Sequence, residues 1–174
     1  VFEGCPPDKA HFGFNHSQIM GVCDLYRVTG DDEYYKLAEI FVNMRGSGRS
    51  DGSNQGVQKE EKGKCGSFTG VANGIDQNQD RVPLREETRA VGHAVTSTYL
   101  YSGAADVYAQ TGEPALLEAL ERIYTDMTSK RTYITGASSP IFVGYSDRGD
   151  PTHEAHGTQY DLPNKIAYNE SCAN

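Results

Sequence analysis

Apolar residues recur along this chain with a helical period in two separate places. Leu116, Leu117, Leu120, Ile123, Tyr124 and Met127 follow the spacing i, i+1, i+4, i+7, i+8, i+11, which is one face of an amphipathic helix. Tyr34, Leu37, Ala38, Phe41 and Val42 form a shorter stripe of the same kind. The flanking residues agree with both. Pro114 suits a first helical position, Gly112 suits the C′ position of the helix before it, and Gly30 leads into the capping candidates Asp31 and Asp32.

The two stripes belong to a repeat. "DLYRVTGDDEYYKLAEIF" (24–41) and "DVYAQTGEPALLEALERIY" (106–124) align at an offset of 82 residues, with Gly30 on Gly112. In each, a broadly apolar helix ends at Thr-Gly and an amphipathic helix follows at once, which predicts two αα-hairpins. The first helix of each pair, "SQIMGVCDLYRV" and "RAVGHAVTSTYLYSGAADVYA", is apolar over much of its surface. The second has one charged face. An inner helix packed on both sides and an outer helix facing water would produce that contrast. The fold class expected is therefore all-α, a helical toroid or solenoid in which two hairpins form only part of the circuit.

Two long stretches interrupt the helical pattern. Residues 45–83 are rich in Gly, Asn and Gln, and an irregular stretch runs from about 130 to 163. Connections of that length in a compact domain are usually functional or disordered. The second holds "YITG" and "IFVGYS", apolar and aromatic enough to expect an ordered loop at the mouth of a site.

Composition narrows the function classes. The chain has 174 residues, enough for one domain with a core. With 16 Lys and Arg against 24 Asp and Glu, its net charge is -8 and no basic run is present, which argues against a nucleic-acid partner. No apolar run approaches the ~20 residues of a membrane span. Val1 opens without a basic n-region or an apolar run, so no targeting segment is legible and the compartment, cytoplasmic or periplasmic, stays open. Cys5, Cys23, Cys65 and Cys172 are widely spaced and do not suggest a disulfide framework. Cys23 lies on a helical apolar face and is expected in the core; Cys65, in a Gly- and Lys-rich loop, is expected to be exposed.

The candidate chemistry gathers at the end, in "HEAHGTQYDLPNKIAYNESCAN" (153–174). "HEAHG" is a near miss for the zinc-protease H-E-x-x-H, whose histidines must share a helix face at i and i+4. His153 and His156 are three apart, in a segment that does not read as a helix. Glu170 and Cys172 carry legitimate zinc-ligand groups, but at i, i+2 they would splay apart on a regular helix. Glu154 has the chemistry of a general acid or base. His16 and His93 each stand near the beginning of an inner helix, either as satisfied core histidines or pointing together into one cavity. Residue chemistry alone therefore reaches a helical toroid with a polar mouth able to bind a metal.

The order of these pieces goes further. "HFGFNHSQIMGVCDLYRVTGDDEYYKLAEIF", "REETRAVGHAVTSTYLYSGAADVYAQTG", "KRTYITGASS" and the final 22 residues together resemble glycoside hydrolase family 127, the β-L-arabinofuranosidases and their relatives. The resemblance implies an (α/α)6-barrel catalytic domain that hydrolyses terminal β-L-arabinofuranosides with retention. It implies Zn2+, with a zinc-held cysteine as nucleophile in place of the usual second carboxylate. Carried over by motif, Glu154 matches the general acid/base, Glu170 and Cys172 match two zinc ligands, and His16 and His93 match histidines lining the sugar pocket. The partner implied is an arabinose-containing plant oligosaccharide or glycopeptide. The family's adjacent Cys-Cys pair lies beyond Glu-x-Cys and has no match here, so residues 1–174 are expected to be a central part of one catalytic domain, inactive alone.

Overall fold

The computed structural model of the chain describes residues 16–46, 75–138 and 140–160. The predicted hairpins are both there. Helix α1 (Gln18–Thr29) is followed by α2 (Asp32–Met44), and α3 (Ala94–Thr111) by α4 (Pro114–Asp126). Each pair turns at the repeated Thr-Gly, and the structure shows why. Thr29 Oγ1 donates to Leu25 O (2.7 Å) and accepts from Asp31 N (3.2 Å). Thr111 Oγ1 does the same, donating to Val107 O (3.1 Å) and accepting from Glu113 N (3.2 Å). The next residue must then turn left-handed, which suits glycine: φ is 69° at Gly30 and 62° at Gly112. Asp31 caps α2 by accepting from Glu33 N, and Pro114 opens α4.

The helices share one core. Ile19 and Cys23 of α1, Ala38, Phe41 and Val42 of α2, Leu100, Ala104 and Val107 of α3, and Leu116 and Ile123 of α4 are all buried in it. The inner helices meet closely: a Cβ on Gly103 would lie 2.6 Å from Ile19 Cγ2, so only glycine admits that approach. Cys23 is a core residue, as expected. Burial, and next Asp106, push its thiol up to about 11, which makes it unreactive. Helix α3 is packed on several sides, by α1, α2, α4 and the hairpin described next. Helix α1 packs against α2 and α3, and its Leu25 and Val28 stay exposed.

The all-α expectation needs a correction. Within the second long loop, β1 (Pro140–Tyr145) and β2 (Pro151–His156) form an antiparallel hairpin, with Ile141 opposite Ala155 and Val143 opposite His153. The β-branched and aromatic run "IFVGY" favours this. The strand period was hidden because Glu154, inside β2, has φ 51°, and its expected partner Phe142 drops out of the ladder. The loop also begins later than expected, since Met127–Arg131 continue α4 as a π-helical turn. The first long loop is ordered at its end: Asp76–Asn78 form a 3-10 turn, and Asp76, Asn78, Gln79 and Asp80 are buried. The described fold is thus mostly helical, with one two-stranded sheet laid across the start of α3. No helix among the described residues is long and apolar enough to cross a membrane.

Candidate active site

Two of the residues singled out in the sequence meet. His93 is the N-cap of α3, and its Nδ1 accepts from Thr96 N at 3.3 Å. A neutral ring then carries its proton on Nε2, which lies 2.9 Å from Glu154 Oε2 and donates to it. Glu154 comes from β2, 61 residues later. The backbone brings the pair together: His93 bridges to Ala155, and His156 N donates to Gly92 O at 2.9 Å. The left-handed φ at Glu154 is rare for a residue with a Cβ, and such strain gathers at functional positions. A third of the Glu154 side chain is exposed, so its carboxyl can reach a ligand. His153 Nδ1 stands 3.8 Å from the same Oε2, and its ring packs edge-on against Phe142 with centroids 4.9 Å apart. Both histidines therefore address one carboxylate oxygen.

His16 is placed differently. It is 1% exposed, and its Nε2 lies 2.8 Å from Gln79 Oε1. Burial first, and the Arg45 guanidinium second, hold it well below the ordinary imidazole range, so it is neutral at pH 7. Its link to His93 is indirect. Gln79 Nε2 donates to Gln77 O (3.1 Å), the carbonyl that also accepts from His93 N (3.1 Å). The turn at 76–79 fits against Gly92, whose φ is 72°. A Cβ there would lie 2.1 Å from Asp76 O and 2.5 Å from Gln77 O.

A buried ionic network holds the hairpin on this turn. Arg148, in the β1–β2 connection, donates to Asp76 Oδ1 (2.7 Å) and to both oxygens of Glu87 (3.1 and 3.2 Å). Arg81 pairs with Asp150, and Asp150 Oδ2 accepts from Asp76 N at 2.7 Å. None of these residues stands out in the sequence. Only Asp76 has any signal, the density of Asp, Asn and Gln in "IDQNQD" (75–80), which composition alone cannot convert into contacts.

The zinc-protease reading of "HEAHG" finds no support in the geometry. His153 is exposed, whereas His156 turns inward, with Nε2 2.7 Å from Ser97 Oγ and Nδ1 3.3 Å from Ser138 Oγ. Burial, with Arg131 second, pushes His156 down to about 3. Among the described residues, no group of three or more His, Cys, Asp or Glu could hold a metal ion. Glu170 and Cys172 lie outside the described residues, as do Cys5 and Cys65.

The pattern of the β-L-arabinofuranosidase GH127 catalytic domain matches residues 8–174. The chain belongs to that family. Among its relatives is a non-reducing end β-L-arabinofuranosidase of Bifidobacterium longum subsp. longum, 30% identical over 169 residues, which cover 95% of this chain and 24% of that protein. A solved structure described as a glycoside hydrolase superposes with TM-score 0.76 at 35% identity, covering 99% of this chain and 26% of the other. A GH127 β-L-arabinofuranosidase from Geobacillus stearothermophilus T6 superposes with TM-score 0.63 at 30% identity, covering 89% of this chain and 22% of its own. The family-127 chain thus spans about a quarter of the length of the relatives it matches.

Proposed function

We propose that the complete protein is a retaining glycoside hydrolase that releases terminal β-L-arabinofuranosyl residues from an arabinose-containing plant oligosaccharide or glycopeptide. This chain is read as part of its (α/α)6-barrel catalytic domain, and Glu154 as the general acid/base. One observation carries the assignment. Oε2 of Glu154 is engaged by the Nε2 proton of His93, which leaves Oε1 as the oxygen that can carry a transferable proton. In the first half of the reaction Glu154 gives that proton to the departing glycosidic oxygen. In the second it takes one from the water that releases the sugar. His93 orients the carboxyl in both, donating to Oε2 throughout. His16, neutral and buried, would stand behind the sugar pocket, bonded to Gln79, and not face the sugar itself.

Glu170 and Cys172, a carboxylate and a thiolate, would supply two ligands to Zn2+. Bound there, zinc would keep a coordinating cysteine deprotonated and nucleophilic. The nucleophilic cysteine is assigned to a part of the protein outside this chain. Replacing Glu154 by Gln in the complete protein tests the reading. Turnover of an alkyl or sugar β-L-arabinofuranoside should fall by about 10²–10⁴-fold, with sugar binding retained. Unchanged turnover would refute the assignment, and binding without turnover in the unsubstituted protein would favour a carbohydrate-binding module.

A further inference from the structure

The turn at 76–78 does more than support the hairpin. Gln77 aims its side-chain amide along the backbone of His153. Nε2 donates to His153 O (2.7 Å), and Oε1 accepts from His153 N (2.8 Å). This pair of bonds is what a neighbouring strand would make, delivered by one side chain. It falls on the residue just before Glu154, where β2 leaves the extended conformation for φ 51°. Gln77 also accepts from His93 N through its own carbonyl (3.1 Å). One residue therefore holds both halves of the acid/base pair, Glu154 through the preceding peptide and His93 through its amide.

We infer that Gln77 is a positioning residue for the acid/base, fixing the backbone of Glu154 and of His93 so that Nε2 and Oε2 stay in register. The inference rests on the reading of Glu154 as acid/base given above. It touches no substrate and transfers no proton itself. Its value is geometric. A carboxyl on a strained strand residue has other rotamers and backbone wells available, and a small misplacement of a proton donor lowers the rate steeply. The conformation is held by bonds to the flanking peptide, so side-chain packing at Glu154 itself, one-third exposed, need not supply the precision.

A positioning role in acid catalysis has a signature that general loosening lacks. The acid matters for a poor leaving group and hardly at all for one that departs unprotonated. Gln77→Met keeps the length of the side chain and removes both bonds to His153; Gln77→Ala also removes its bulk. In the complete protein, kcat/KM on methyl β-L-arabinofuranoside should fall about tenfold or more in both variants. On 2,4-dinitrophenyl β-L-arabinofuranoside it should fall less than about threefold, and bound zinc should be unchanged. Glu154→Gln should show the same selectivity, more strongly. An equal loss on both substrates, or no loss on either, would overturn the role of Gln77 while leaving Glu154 as the acid/base. If Glu154→Gln itself shows no leaving-group selectivity, the acid/base reading fails first. Gln77 is partly exposed, so Gln77→Met is expected to fold, and Gln77→Glu gives a second handle. The Glu variant keeps the acceptor for His153 N but loses the donor to His153 O when ionised. Its methyl-glycoside activity should recover as pH falls and the new carboxyl protonates; absence of that recovery counts against the inference.

Discussion

Gly92 offers the sharpest test of how the site is held. Its φ of 72° lies where an L-residue pays a steric penalty, about 1–2 kcal/mol on general grounds. Gly112, at φ 62°, carries the same penalty, but nothing lies within 4 Å of a Cβ built on it. At Gly92 the added Cβ would sit 2.1 Å from Asp76 O, 2.4 Å from Gln79 Nε2 and 2.5 Å from Gln77 O. Two of those atoms are backbone carbonyl oxygens and cannot swing aside as a side-chain tip can. Restoring van der Waals contact at about 3.5 Å means moving the 76–79 turn by roughly 1.4 Å. Overpacking of this kind costs about 1–3 kcal/mol. Gly92→Ala should therefore destabilise the chain by about 3 kcal/mol or more, and Gly112→Ala by about 1 kcal/mol. Equilibrium urea unfolding of the two variants and the unsubstituted chain measures both. If the two losses agree within about 0.5 kcal/mol, the close seating of the turn against Gly92 is wrong, because only the shared backbone penalty would then be present.

Two further outcomes are expected. The imidazoles of His156 and His16 are depressed in the folded chain, the first to about 3, while in the unfolded chain they titrate near 6.5. Below pH 6.5 the unfolded chain then binds protons that the folded chain refuses, so stability is complete above that pH and declines as the pH falls toward the folded values. The decline should reach up to about 1.4 kcal/mol per pH unit for each histidine. Urea midpoints at pH 7 and pH 5 should differ accordingly; equal midpoints would mean that the two rings are not enclosed. Arg148→Met should cost about 2–4 kcal/mol, since it removes the guanidinium shared by Asp76 and Glu87, both nearly inaccessible, and leaves Asp76 only the longer Arg81 pair (3.6 Å) and Glu87 only the Thr88 amide (2.9 Å). Thermal melts would measure this, and a loss under about 1 kcal/mol would mean that the carboxylates are reached by water.

What the sequence discloses tracks how local each determinant is. The Thr-Gly repeat was readable because every bond that makes it, from Thr29 to Leu25 and Asp31, lies within four residues. Glu154 and His93 were legible as candidates from residue type and motif order. Their direct contact was not, since it joins residues 61 apart and depends on a backbone angle that breaks the strand pattern. Gln77 was invisible for a related reason. A glutamine in a Gly-, Asn- and Gln-rich stretch looks like solvated loop, and only the fold reveals that its amide replaces a strand. The pair Glu170 and Cys172 lies outside the described residues.

The separation between local hairpins and distant site contacts also bears on how the molecule assembles. The turns at Gly30 and Gly112 close short loops, which helical segments do in microseconds. The Gln77–His153 bonds join residues 76 apart, and Asp76 is tied to Asp150 across 74, so they form only after a large loop has been closed. Such contacts are late to appear and early to open. Under mild denaturant, amide exchange at His153 should report opening of the hairpin while the helices still retain their protection, and the contact between His93 and Glu154 would be lost in a chain that is still folded by circular dichroism.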